Sequence, residues 1–153
     1  MTPYAAWNAL AFIAESNKIE GIARAPTAAE LDATEHFTGL VYPSVADLVA
    51  LVAVYQPDAV LRDKVGLNVR VGGHIAPPGG IGIVDDLNEI LRATAHQSPW
   101  ATHVRYENLH PFTDGNGRSG RALWRWHMRR CGSDAPLGFL HHFYYQTLQS
   151  ARP

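Results

Sequence analysis

The chain has 153 residues, 46% apolar and 18% charged, with thirteen basic and fourteen acidic side chains and a formal charge of −1. A chain of this length makes one ordinary domain and can bury about 70% of its unfolded surface without disulfide or metal. Balanced charge argues against a general nucleic-acid binder, no apolar run reaches the roughly 18 residues of a membrane helix, and the lone Cys131 excludes a disulfide scaffold or a cysteine zinc site.

Residues 4–17 set Trp7, Leu10, Ala11 and Ala14 at helical spacing, and Gly21 ends that helix. Thr27 with Glu30 three positions on is a capping box, which predicts a second helix to about Leu40. Ser44 caps a third, running to about Tyr55. Its valines also suit a buried strand, but its length favours a helix. Over 67–80, Val69 and Val71 alternate with Arg70, Gly72-Gly73 supplies turn chemistry, and His74-Ile75-Ala76 returns until Pro77 and Pro78 stop it. This reads as a short hairpin. Helices are then expected over Ile83 to His96, from Ser98-Pro99 to His110, from Asn116 to Cys131-Gly132, and over Pro136 to Gln149. The sum is an all-α domain over 1–153 with one hairpin and no linker. The N-terminus has no basic start followed by an apolar run, so no secretory signal is expected. With the lone cysteine this fits a reducing, cytoplasmic setting.

The segment that carries chemistry is 110–121, HPFTDGNGRSGR. Pro111 cannot continue a helix, so His110 stands at a helix end. Phe112 is the loop's one bulky apolar anchor. Gly115-Asn116-Gly117 has little side-chain bulk ahead of a new helix, so main-chain N–H groups can cradle an anion. Arg118 and Arg121 fall three apart on one helical face. The chain uses eleven Arg and only two Lys, and Arg is the better planar clamp on phosphate. Two Arg and a nest suit a polyphosphate. Asp114 among positive groups suits Mg²⁺ bridging phosphate oxygens, and His110 can take a proton near neutral pH. Piecemeal, each feature is also ordinary turn, cap or surface chemistry.

As a whole the segment resembles the signature of the Fic (filamentation induced by cAMP) family, His-x-Phe-x-Asp/Glu-Gly-Asn-Gly-Arg-x-x-Arg, with no departure. The flanks, VRVGGHIAPP before it and LGFLHHFYYQTL after it, resemble the family's flap and closing helix. The resemblance implies an all-α Fic fold and protein AMPylation, the transfer of AMP from ATP to a Ser, Thr or Tyr hydroxyl with release of pyrophosphate. By that resemblance His110 is the base and Asp114 holds Mg²⁺. Gly115, Asn116 and Gly117 form the anion hole for the α-phosphate. Arg118 and Arg121 fix the β- and γ-phosphates. The hairpin Val69, Arg70, Val71, Gly72, Gly73, His74 and Ile75, within a flap of about 67–78, pairs with an extended segment of a target protein. Related Doc toxins carry Lys where Gly117 stands and phosphorylate their targets, so Gly117 favours nucleotidyl transfer. Other members transfer UMP, or phosphocholine from CDP-choline. The target protein, self-modification and self-association are left open.

A second stretch, Ser16-Asn-Lys-Ile-Glu20-Gly21, resembles the inhibitory Ser/Thr-x-x-x-Glu-Gly/Asn motif of autoinhibited members. Ser16 and Glu20 share a helical face. The resemblance implies that Glu20 pairs with Arg121 in place of the γ-phosphate, within an inhibitory helix over about 4–20. Two competing readings are a hydrolase that removes AMP at the same site, with Glu20 orienting water, and a nucleotide-responsive module with vestigial catalysis. His96, His103 and His110 recur every seven residues, but Pro99 interrupts the helix that would align them, so His103 reads as a core residue. His74 reads as a solvated loop residue. Arg125, Arg129 and Arg130 read as a solvated face or ion pairs, and Tyr106 as a side chain that could border the nucleotide.

Overall fold

The structure is a computed structural model that describes residues 8–132, 148, 149 and 151. Among these residues it contains six helices and one two-stranded hairpin, in agreement with the all-α expectation. They are α1 (Ala9–Ile19), α2 (Ala28–Thr38), α3 (Val45–Tyr55), β1 (Arg70–Val71), β2 (His74–Ile75), α4 (Ile81–Ala93), α5 (Pro99–Leu109) and α6 (Asn116–Arg130).

The starts of the helices follow from local chemistry. Thr27 and Glu30 form the expected capping box, Ser44 forms a second with Asp47, and Ser98 caps α5 with Pro99 at the first turn. The cap and the run of eleven helical residues make α3 a helix despite its valines. The core groups Leu48, Leu51 and Val52 of α3 with Ile83, Leu87 and Ile90 of α4, Tyr106 of α5, and Leu123 and Trp126 of α6. Leu48 and Leu87 are wholly buried, so truncating either to Ala would cost about 2–5 kcal/mol. Helix α6 packs against α1, α2, α3 and α5. The helix that begins at the signature loop is therefore the structural centre, and the loop sits on a rigid base.

Several expectations change. Helix α1 buries Ala9, Phe12, Ile13, Ser16 and Asn17, whereas Leu10 and Ala11 face solvent. The expected apolar face is turned outward because α1 docks through the side that carries Ser16. Helix α4 stops at Ala93, before His96. The hairpin ladder holds two residues per strand, with Arg70 opposite Ile75 and Val71 opposite His74, so Val69 precedes it. His74 is not simply solvated: its Nε2 bonds the Asn108 carbonyl at 2.9 Å. Arg125 is buried rather than on a solvated face, while Arg129 and Arg130 are exposed. Tyr106 is wholly buried and bonded to the Ser119 hydroxyl at 2.7 Å, with no surface left to border a ligand. The helix expected over 136–149, the closing segment that resembles the family's, and residues 4–7 of the first helix lie outside the described residues, apart from 148 and 149.

Candidate active site

His110 ends α5 in the left-handed region, φ 51° and ψ 63°, and is the one non-glycine with positive φ among the described residues. Pro111 prevents helical continuation and turns the chain inward. Phe112 then sinks into the core. Asn116 grips it twice: its Oδ1 accepts the Phe112 N–H and its Nδ2 donates to the Phe112 carbonyl, each at 2.8 Å. Both polar ends of Asn116 thus close the loop. Gly115, at φ 76°, supplies the left-handed entry to α6, and no side chain caps that helix. The first main-chain N–H groups of α6 therefore keep their capacity for an anion, strengthened by the positive end of the helix dipole.

Arg121 is wholly buried, and the last turn of α1 and its C-cap Glu20 give it three hydrogen bonds. Its Nε donates to Ser16 Oγ at 2.8 Å, and its Nη2 donates to the Ser16 carbonyl at 3.0 Å and to Glu20 Oε1 at 2.7 Å. The end of α1 explains how. Gly21, at φ 75°, donates to the Lys18 carbonyl while Ile22 donates to that of Asn17, a Schellman closure with Glu20 as C-cap. The Glu20 N–H turns back to Asn17, which leaves the Ser16 carbonyl for Arg121. The spacing of Ser16, Glu20 and Gly21 is thus that of one last helical turn and its stop. Glu20 lies directly over Gly117: a Cβ there would overlap Glu20 Oε1 and press on Arg121 Nη1.

Arg118 faces a different set. Its Nη2 donates to Gln56 Oε1 at 2.9 Å, its Nη1 is 3.9 Å from Glu30 Oε1, and its guanidinium lies over the Tyr55 ring at 5.5 Å. Burial pushes its pKa down, and the nearby carboxylates of Glu20 and Glu30 oppose that. Burial also pushes the Tyr55 phenol up to about 12, so the ring under the cation stays neutral. Glu30 is itself fixed by Arg24 at 2.7 Å and by the Thr27 N–H at 2.9 Å.

The His110 ring is oriented by its Nδ1, 3.2 Å from the Glu107 carbonyl. A carbonyl only accepts, so Nδ1 carries the hydrogen and Nε2 the lone pair of the neutral ring. His110, Asp114, Gly115, Asn116, Gly117 and Arg118 share one cleft of about 400 Å³ with Glu20, Ile22, Gln56, Glu107, Leu148 and Val71 of the flap. Asp114 is exposed, and its Oδ1 accepts the Gly115 N–H at 2.7 Å. No cluster of three ligating side chains occurs among the described residues. A single carboxylate fits Mg²⁺ when substrate phosphates complete the shell. His103 is a core residue, as expected: it is buried between Trp100 and Trp124, and burial with the Arg121 charge pulls its pKa down to about 3.

The structure thus brings together His110, Asp114, Gly115–Gly117, Arg118, Arg121, Ser16 and Glu20, with only Val71 of the hairpin on the cleft. Sequence reasoning missed Gln56, Glu30, Glu107 and Arg62. Gln56 and Glu30 act as caps of their own helices, which is all that their local context reports. Arg62 sits in an irregular stretch, AVLRDKVG, where it is the first of three consecutive charges that look solvated.

Residues 69–128 match the model of the Fic/DOC family. The chain is 36% identical over 72 residues to the Protein adenylyltransferase Fic of Drosophila willistoni, covering 42% of this chain and 14% of that protein. It is 38% identical over 72 residues to those of Drosophila melanogaster and Drosophila sechellia, covering 42% of this chain and 15% of each. The match thus spans about a seventh of the length of these relatives, and the family segment begins after the Ser16–Gly21 turn. No described helix is long and apolar enough to cross a membrane. From the hairpin to the last turns of α6, over residues 69–128, the chain is similar to the Fic/DOC family.

Proposed function

We propose that the protein is a nucleotidyltransferase that moves AMP from ATP to a Ser, Thr or Tyr hydroxyl of a target protein, and that Glu20 holds it inactive. The observation that carries this reading is the shared cleft: an imidazole with its lone pair on Nε2 stands beside an uncapped helix start, Arg118 and Glu20, and Glu20 is bonded to the buried Arg121. The names of the Drosophila relatives support the same chemistry.

In this reading the α-phosphate lies on the N–H groups of Asn116 and Gly117 at the start of α6, the Gly115 N–H being held by Asp114. Arg118 and Arg121 take the outer phosphates, with Gln56 and Glu30 aiming Arg118. His110 Nε2 takes the hydroxyl proton as that oxygen bonds to the α-phosphorus. The bond from that phosphorus to the bridging oxygen breaks, and pyrophosphate leaves with the electron pair. Asp114 would hold Mg²⁺, which supplies neutralising charge between phosphates. The flap would pair with an extended target segment. Glu20 occupies Arg121 and covers Gly117, so a γ-phosphate and the carboxylate compete for one guanidinium.

The test is incubation of lysate with the Glu20→Gly protein and each α-labelled nucleotide in turn. A labelled band with ATP that vanishes in Glu20→Gly/His110→Ala is expected. Labelling that survives loss of His110 would remove the imidazole from the mechanism.

A further inference from the structure

We propose that Arg62 is a positioning residue: one buried guanidinium fixes both roots of the flap to the main chain that carries His110. The part of this inference that concerns transfer rests on the function proposed above.

Arg62 is wholly buried. Its Nη1 donates to the carbonyls of Leu67 and Pro77 at 3.0 and 2.8 Å, at the two ends of the hairpin segment. Its Nε donates to the His110 carbonyl at 2.7 Å and its Nη2 to that of Leu109 at 2.8 Å. All four acceptors are main chain. None of the ion pairs among the described residues involves Arg62, and burial pushes its pKa down. A buried cation without a counter-charge is costly, so its use is sought in the groups it joins. A guanidinium spreads five donors over three nitrogens and so serves all four carbonyls, whereas a lysine has three donors on one nitrogen.

The backbone around Arg62 is locked as well. Its N–H donates to the Pro111 carbonyl, its carbonyl accepts from Gly80, and Thr113 and Val60 exchange bonds beside the Leu61–Phe112 bridge. At the flap root, Gly79 donates to Asn68 Oδ1, and a Cβ on Gly79 would strike the carbonyls of Leu67 and Lys64. Hairpin, root and catalytic loop therefore move as one piece. His110 adopts a left-handed conformation that side chains disfavour, and the Arg62–His110 bond holds that carbonyl in place. A segment paired with the hairpin would then meet His110 at one register and distance.

The test compares Arg62→Lys and Arg62→Met with the parent in the Glu20→Gly background. Amide exchange of residues 68–79, NMR titration of His110, calorimetry with ATP and Mg²⁺, and AMP transfer from α-labelled ATP to lysate proteins are read together. Flap amides should exchange at least about tenfold faster in both variants and the His110 titration should move. The ATP affinity should stay within about threefold, because the nest belongs to α6. Transfer at saturating ATP should fall at least about tenfold, with Lys failing to rescue. Unchanged flap exchange, rescue by Lys, or loss of ATP binding in step with exchange would overturn the proposal. If the parent itself transfers no nucleotide, the function fails while the exchange and titration results still decide the role of Arg62. If neither variant folds, exchange in the unaltered chain decides: Arg62, Gly79 and Gly80 amides should open together, and independent opening would overturn the coupling.

Discussion

Glu20 Oε1 accepts from Arg121 Nη2 at 2.7 Å across 101 residues of chain, and the same carboxylate lies over Gly117 at the start of α6. One side chain thus occupies both the cation and the space that the proposed phosphates require. Replacing Glu20 by Gly should raise ATP-dependent labelling by about 10–100-fold, the span of an ordinary coupling energy. The check is label incorporation at fixed ATP, and unchanged labelling would remove the brake from the account.

Ser16 holds Arg121 by two atoms of different kinds. Ser16→Ala removes the hydroxyl acceptor of Arg121 Nε but keeps the main-chain carbonyl. It should destabilise the chain by about 1–2 kcal/mol, because a buried donor loses its partner. Activation should be smaller than for Glu20→Gly, since Glu20 remains. Denaturant unfolding and the labelling assay on the same protein check both halves.

Gly117 is required partly by Glu20 itself. Gly117→Ala should cost about 1–3 kcal/mol in the unaltered chain, as added methyls do in tight sites. The cost should shrink by at least about 1 kcal/mol when Glu20 is Gly, because the first atom that the methyl would meet has gone. A double-mutant cycle of unfolding free energies reads this coupling. Additive costs would mean that the Glu20 carboxylate does not lie where the structure has it.

The buried His103 gives an acid limb to stability. Its pKa is about 3 in the fold against an ordinary 6.5, so between these values the unfolded chain binds a proton that the fold refuses. Stability is therefore full above about pH 6.5 and falls as pH drops, by up to about 1.4 kcal/mol per unit from this group. His127 is also held down by burial and adds in the same direction. His103→Gln can still donate to the Gly120 carbonyl, and it should flatten the slope between pH 6.5 and 5 in thermal unfolding. An unchanged slope would assign the acid limb elsewhere.

Three of the six described helix starts were legible because caps are local: Thr27, Ser44 and Ser98 each announce a helix within four residues. The signature loop was legible because its chemistry lies in twelve consecutive residues. The face of α1 was not, since Leu10 and Ala11 look like its apolar side until the docking of Ser16 onto Arg121 decides the rotation. Nor was Arg62, whose four partners are carbonyls 5 to 48 positions away and leave no mark in a side-chain pattern. His74 reads as solvated for the same reason, its partner being the Asn108 main chain. Long-range contacts to backbone are invisible in side-chain periodicity, and here they govern the flap.

The central claim is that the start of α6, with Arg118 and Arg121, grips a triphosphate once Glu20 is removed. Calorimetric titration of the Glu20→Gly protein with ATP, AMP and adenosine, each with Mg²⁺, tests it most directly. ATP should bind at least about tenfold more tightly than AMP, and adenosine weakest of the three. Equal affinity for ATP and adenosine, or no heat with ATP, would contradict it.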